Sequence, residues 1–366
     1  MEKKVCCIFN YAPHYRTEIY KKMSEEFECD FFFGTSGDGK IEKMDYVLIT
    51  TNVKELSTIK LFRSINWISN SINLCFQKYK NYIITGEPHC LSSWVILLIN
   101  RLLGKRTYLW THGWYGNESV GKKILKKLYF TLGSKILLYG NYAKELMIKE
   151  GFDPRKLVVV YNSLNYDDQI NIRQRLTNTN IFKRLFGNDY PVVTFTGRLT
   201  KEKKLELLIK SLKILLDRSV NLNVLILGEG KEGDKLVDMV EELGIKNHVY
   251  FYGACYEEEV IAEIYFNSAC CVSPGNVGLT GIHAMTYGCP VISHNNFSEQ
   301  MPEFEIIVNG VTGFFYQQGD VSDLAKKIEN ILSGNRSVFQ TNCVNEVDRY
   351  YNTNAQILTL RQLLNG

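Results

Sequence analysis

What this 366-residue chain lacks narrows its chemistry before any motif is considered. No Asp-x-Asp pair occurs, so no such carboxylates stand ready to hold a divalent metal on a diphosphate, and no metal or other cofactor is expected. The ten Cys show no C-x-x-C spacing and no Cys/His cluster of zinc type. Cys6-Cys7 and Cys270-Cys271 sit in apolar, strand-like runs, where neighbours point to opposite faces, which suits buried, reduced thiols. No apolar run is long enough to span a bilayer: the longest, SSWVILLINRLLG from Ser92, is broken by Asn100 and Arg101. The apolar part of MEKKVCCIFNYAPH is too short for a signal peptide and stops at Pro13. A reducing cytoplasm is the expected compartment, with peripheral attachment to the inner face of the membrane. There is no solenoid-period repeat and no low-complexity tract. With 43 basic residues against 39 acidic ones the net charge is only +4, which argues against a nucleic-acid partner.

What is present is a regular alternation of short apolar runs and amphipathic helical patterns. Strands are expected at 5–9, 29–33, 46–50, 82–85, 107–110, 135–139 and 157–161, then at 192–197, 223–228, 248–253, 270–274 and 289–293. Continuously apolar strands alternating with helices predict an α/β protein with parallel sheets covered on both faces. The length predicts two domains. Residues 162–190 are polar and lose their periodicity. The expected organisation is a Rossmann-like domain over 1–165, a connection over 166–190, a second Rossmann-like domain over 191–340, and a C-terminal helix over 341–366 packing back toward the first. Two doubly wound domains of this kind would face each other across a cleft, with ligands at the carboxyl ends of the strands.

Acidic residues are missing where an anion would arrive. Residues 273–292, SPGNVGLTGIHAMTYGCPVI, hold no Asp or Glu between Gly275 and Pro290. The glycines let backbone approach a ligand closely, and the N–H groups of Gly278, Leu279 and Thr280 would open a helix and point outward. Upstream, GRLTKEKK places Arg198 at a strand end and Lys203 at a helix start, cations suited to a diphosphate. GEGKEG (228–233) matches the spacing of a dinucleotide fingerprint, but it follows the second strand of its domain and carries Glu229 and Glu232, which would repel a pyrophosphate. A tight turn needing Gly is the better reading, and a dehydrogenase ranks last.

In order, GRL-x-x-E-K, LGEG, SPG-x-x-GLT-x-x-x-AM-x-x-G-x-PVI and NGVTGFF resemble the carboxyl-terminal half of retaining glycosyltransferases of family 4, GT-B enzymes that use nucleotide-sugar donors. NYAPHYR and LWTHGWYG resemble loops of their amino-terminal half. The resemblance implies that Arg198 and Lys203 hold the donor diphosphate, that the backbone at Gly278, Leu279 and Thr280 binds its distal phosphate, and that His112 lies near the donor sugar. The family's two glutamates, eight positions apart, fall here on Gly275 and His283, so both are replaced. Asn276 is then a candidate for the sugar contact and His283 for a ribose hydroxyl; alternatively Glu303 or Glu305 supplies the missing carboxylate. A GT-A enzyme would need the absent Asp-x-Asp, whereas here cations and a helix end do the neutralising.

The acceptor side is implied to be the amino-terminal half. His14, Tyr15 and Arg16 follow the first strand, with Arg16 either touching a phosphate or forming a salt bridge on the next helix. His89 ends another strand, and Trp114 beside His112 is a candidate for stacking on a sugar. Lys122, Lys123, Lys126 and Lys127 accompany Leu125, Leu128, Tyr129 and Phe130, a segment suited either to an anionic membrane or to a solvated helix face. The resulting expectation is retaining, metal-independent sugar transfer to a glycan or lipid-linked acceptor in bacterial surface polysaccharide synthesis. Its alternatives are a non-catalytic GT-B protein binding a nucleotide sugar or partner transferase, and a GT-B nucleotide-sugar epimerase.

Overall fold

The computed structural model describes residues 5–35, 41–62 and 64–365, so the first four residues of the N-terminal stretch and the last of the C-terminal helical pattern lie outside it. The chain divides into two compact units: residues 1–165 with 352–366, and residues 166–351.

The first unit is built on seven parallel strands: β1 (Val5–Phe9), β2 (Asp30–Gly34), β3 (Val53–Leu56), β6 (Asn81–Thr85), β7 (Arg106–Thr111), β8 (Lys135–Leu138) and β9 (Leu157–Val159), with an antiparallel hairpin, β4 (Thr58–Phe62) and β5 (Ile65–Ile68), beside them. The order is β3-β2-β1-β6-β7-β8-β9. Every residue of β1 and β2 is buried, which is why Val5–Phe9 and, after Asp30, Phe31 to Phe33 read as apolar runs. The expected strand at 46–50 is absent. Tyr46–Leu48 form a short turn started by Asp45, whose Oδ1 accepts from the Val47 N–H, and Val47 is 87% exposed. The strand of that region is β3, an edge strand with exposed Lys54 and Glu55 that hide its apolar signal.

The second unit carries β10 (Val192–Thr196), β11 (Asn223–Leu227), β12 (Val249–Gly253), β13 (Cys270–Ser273), β14 (Val291–His294) and β15 (Gly313–Tyr316), all parallel, in the order β12-β11-β10-β13-β14-β15. Residues 166–190, expected as the connection between the domains, belong to this unit and form two helices, Tyr166–Arg173 and Ile181–Phe186. The second seats Ile181, Phe182, Leu185 and Phe186 against Val192, Leu225, Leu227 and Ile264. Six residues are too few for the helical period to stand out from polar flanks.

The expected single helix at 341–366 is two. Arg336–Tyr350 ends at Tyr351, and Thr353–Asn365 belongs to the first unit, where it packs on the helix Thr17–Phe27. Ile357, Leu360, Leu363 and Leu364 enter the core there, Thr353 Oγ1 donates to Glu18 at 2.7 Å, and Arg361 pairs with Glu26 at 2.7 Å. All ten cysteines are unpaired and nine are buried. No helix among the described residues is long and apolar enough to cross a membrane.

Candidate functional site

Both sheets reverse their winding direction at one point, between β1 and β6 in the first unit and between β10 and β13 in the second. Loops diverge there at the carboxyl ends of the strands, leaving a crevice suited to a ligand. The loops concerned are 10–16 and 86–89 in one unit, 197–203 and 274–280 in the other. Most of the site residues expected from the sequence lie on these four loops.

In the second unit Lys203 Nζ donates to the main-chain oxygen and to Oδ1 of Asn276, each at 2.9 Å. This ties the loop after β10 to the loop after β13. The Gly275 N–H donates to the Lys203 carbonyl at 3.0 Å, closing the junction from the other side. Burial and the nearby charge of Arg198 lower the pKa of the Lys203 ammonium. Arg198 is exposed, and its guanidinium makes no ion pair or hydrogen bond among the described residues. The amides of Gly278, Leu279 and Thr280 likewise make none, although the helix they precede, Thr280–Thr286, has only seven residues. Two cations and three amides thus stand on the two loops that this junction joins. Asn276 accepts from Lys203 through Oδ1, which leaves its Nδ2 to donate to a sugar.

Gly275, where the sequence resemblance would put the first glutamate, is a glycine for a steric reason. A Cβ on Gly275 would overlap the carbonyl oxygen of Glu202 and stand 3.0 Å from Lys203 Cα. No side chain fits there while the two loops touch. Gly228 of the GEGKEG turn is similar, since its Cβ would overlap the Gly197 carbonyl. That glycine serves loop packing, as the tight-turn reading expected.

His283 is not free for a ribose hydroxyl through Nε2, which lies 2.8 Å from Glu258 Oε1. The same carboxylate accepts from the Tyr287 hydroxyl and from Gln169 Nε2. Although burial alone would raise it, these bonds and the His283 charge bring the Glu258 pKa down to about 2. Glu258 escaped the sequence reading because it sits on a different helix, Glu258–Asn267. Of the two carboxylates proposed as substitutes, Glu303 is buried and its charge acts on Lys203, while Glu305 is half-buried in the turn Pro302–Ile306.

The first unit holds a cavity of about 310 Å³ at its own winding reversal, lined among others by Tyr15, Arg16, Glu87, Trp110, His112 and Tyr139. Arg16 donates to the Tyr139 hydroxyl and, at 3.4 Å, to that of Tyr20, and its Cζ stands 4.9 Å from the Trp110 ring centroid. The salt bridge considered for Arg16 is absent among the described residues. His112 lies 4.9 Å from the Tyr139 ring. Burial, then the charges of Arg16 and Lys126, push its pKa down to about 4, so the imidazole is neutral near pH 7. A second cavity of about 290 Å³ shares Glu87, Thr111 and His112 with the first and reaches His89, Lys122 and Leu125. Lys126 is held by the Gly113 carbonyl and by Glu118, both at 2.7 Å.

Two acceptor candidates lie outside the first cavity. Trp114 is 2% exposed and packs on Phe152 and Phe130, so it cannot stack on a ligand. His14 is exposed outside the first cavity, its Nδ1 3.3 Å from the Glu42 carbonyl. Tyr139 was missed because it lies far from Arg16 in sequence and reads as the end of an ordinary buried strand.

Residues 177–349 match the model of the family described as glycosyl transferases group 1. An uncharacterized glycosyltransferase of Methanocaldococcus jannaschii is 27% identical over 54% of this chain and 50% of its own length. The capsular polysaccharide biosynthesis glycosyltransferase CapM of Staphylococcus aureus is 28% identical over 40% of this chain and 38% of its own. The chain thus spans half or less of the curated relatives it matches. Among solved structures, the lipopolysaccharide outer core galactosyltransferase WaaB has a TM-score of 0.71 at 17% identity, covering 98% of this chain and 99% of that one. HepE of Anabaena in complex with UDP has a TM-score of 0.74 at 14% identity, covering 99% of both. The fold is that of the GT-B glycosyltransferases, two Rossmann-like units of which the second contains the stretch that matches the group 1 family.

Proposed function

We propose that this protein transfers a sugar from a nucleoside-diphosphate sugar to a glycan or lipid-linked acceptor in surface polysaccharide synthesis, with retention and without a metal, as family 4 enzymes do. The observation that carries the reading is the junction of Lys203 with Asn276, which ties the loop that carries Arg198 and Lys203 to the loop that carries the 278–280 amides. As the glycosidic bond breaks, the leaving diphosphate gains charge. Fixed cations and amides stabilise that charge more than the ground state, which is what lowers a barrier. His112, neutral at working pH, is able to donate or accept a hydrogen bond without adding charge, which suits the role beside the donor sugar that the resemblance implies for it. Relatives named for capsular polysaccharide and lipopolysaccharide core support the acceptor class, and HepE, solved with UDP, supports a uridine nucleotide as the first to try.

The helix Val120–Leu132 supports attachment to an anionic membrane. Val120, Ile124 and Leu128 are 75%, 58% and 60% exposed beside exposed Lys122 and Lys127.

The test is calorimetric titration with UDP, GDP and ADP in excess chelator, on the wild type and on Arg198→Ala/Lys203→Ala. One nucleotide should bind and the double variant should lose it. NMR of the product anomer from the matching sugar nucleotide then decides retention. Binding without turnover would favour the non-catalytic reading, which rests on Gly275 and His283 standing at the glutamate positions. No binding of any nucleotide at millimolar concentration would overturn the donor site.

A further inference from the structure

The first unit's cavity contains a cation that has no counter-ion among the described residues. Arg16 is bonded to two phenol oxygens and lies over an indole, all neutral groups, and among the described residues no carboxylate pairs with it. Glu87 on the same cavity accepts from Asn10 Nδ2 at 3.1 Å instead. A guanidinium offers five donors in a planar fork, and two phenols leave part of that fork unused. Taking such a charge out of water is costly unless an anion meets it. His112 adds no competing charge, being neutral here.

We propose that this cavity is an oxyanion subsite, in which Arg16 binds a phosphate or carboxylate carried by the sugar acceptor while Tyr11 and Tyr15 line the wall beside its ring. The inference rests on the reading of the first unit as the acceptor side and adds the acceptor's charge to it. A phosphate and a carboxylate offer the same coplanar pair of oxygens to the fork, so the geometry names the shared chemistry and the experiment separates the two sources.

The test uses the full chain carrying Arg198→Ala/Lys203→Ala, so that the second unit's cations cannot bind the probes. Saturation-transfer NMR titrations compare glucose 6-phosphate, glucuronate and methyl glucoside, with and without Arg16→Gln. At least one anionic sugar should bind about tenfold or more tightly than methyl glucoside, and Arg16→Gln should remove that preference, as loss of a charge-assisted hydrogen bond requires. Which of the two anions is preferred identifies the source. Equal binding of all three sugars, or an anion preference that survives Arg16→Gln, would overturn the subsite. If Arg16→Gln does not fold, Arg16→Lys and Tyr139→Phe take its place: the first should weaken the anion preference and the second should leave the charge, and the preference, in place. UDP titration of Arg16→Gln in the otherwise native chain keeps the two readings apart. Normal UDP binding by Arg16→Gln, together with no anion preference in the chain that keeps Arg16, sinks the subsite and spares the donor site, whereas lost UDP binding by Arg16→Gln would assign Arg16 to the donor and overturn the proposal.

Discussion

Lys203 Nζ bonds the main chain and the side chain of Asn276 at once, each at 2.9 Å, so one ammonium clamps the loops after β10 and β13. Lys203→Ala therefore removes a charge and loosens a junction, whereas Arg198→Ala removes only an exposed charge. Each should weaken UDP binding by about 1.5–3 kcal/mol, the usual range for a hydrogen bond to a charged group. Only Lys203→Ala should also lower the melting temperature. Calorimetry and thermal melts on both variants check this.

Gly275→Ala should disturb the same junction from the opposite strand end. Its Cβ would overlap the Glu202 carbonyl, and relieving the overlap should cost about 1–3 kcal/mol of stability, as overpacking does. Gly275→Glu, which restores the glutamate usual in similar enzymes, should be at least as destabilised and gain no activity. Denaturant melts with a transfer assay would show it.

Stability should fall in mild acid. Burial is the main force holding His112 and His294 down to about 4, helped by Arg16 and Lys126 for the first and by Lys204 for the second. In the unfolded chain a histidine titrates near about 6.5. Between those values the unfolded state binds protons that the folded state refuses, so the stabilisation present above about pH 6.5 is lost as the pH falls toward 4. Denaturant midpoints at pH 7.5 and 5 should differ in that sense, and His112→Gln should flatten the slope.

Trp114→Ala should act on stability and not through any stacking on the acceptor. Its ring fills the space between Phe130 and Phe152, and truncation of such a buried aromatic typically costs about 3–5 kcal/mol. Trp114→Phe should recover much of that while leaving acceptor KM unchanged.

Reversing Lys122 and Lys127 to Glu should weaken sedimentation with phosphatidylglycerol vesicles. Each exposed lysine near such a surface contributes about 1 kcal/mol, and two reversals should cost more than tenfold in partition. Leu128→Ser should weaken binding to neutral and anionic vesicles alike.

The central strands were readable because burial on both faces leaves an unbroken apolar run, and those strands carry the diverging loops. Arg16, Arg198, Lys203 and Asn276 could be named because each follows such a run within a few residues. Less protected elements were not readable: β3 exposes both Lys54 and Glu55, and the helix Ile181–Phe186 is too short to show its period. The partners of the site were equally hidden. Tyr139 is 123 residues from Arg16, and Glu258 is 25 residues from His283, so only the folded chain brings them together.

The unit that begins the chain takes its last helix from residues 353–365. On the ribosome, Met23, Phe31 and Phe33 therefore wait for Ile357, Leu360 and Leu364 until residues 353–365 have been made. The unit of residues 166–351 has no such debt and is whole before the earlier one. Biosynthesis thus completes the two in reverse order, and a nascent chain stalled before residue 353 would present an apolar seam to chaperones.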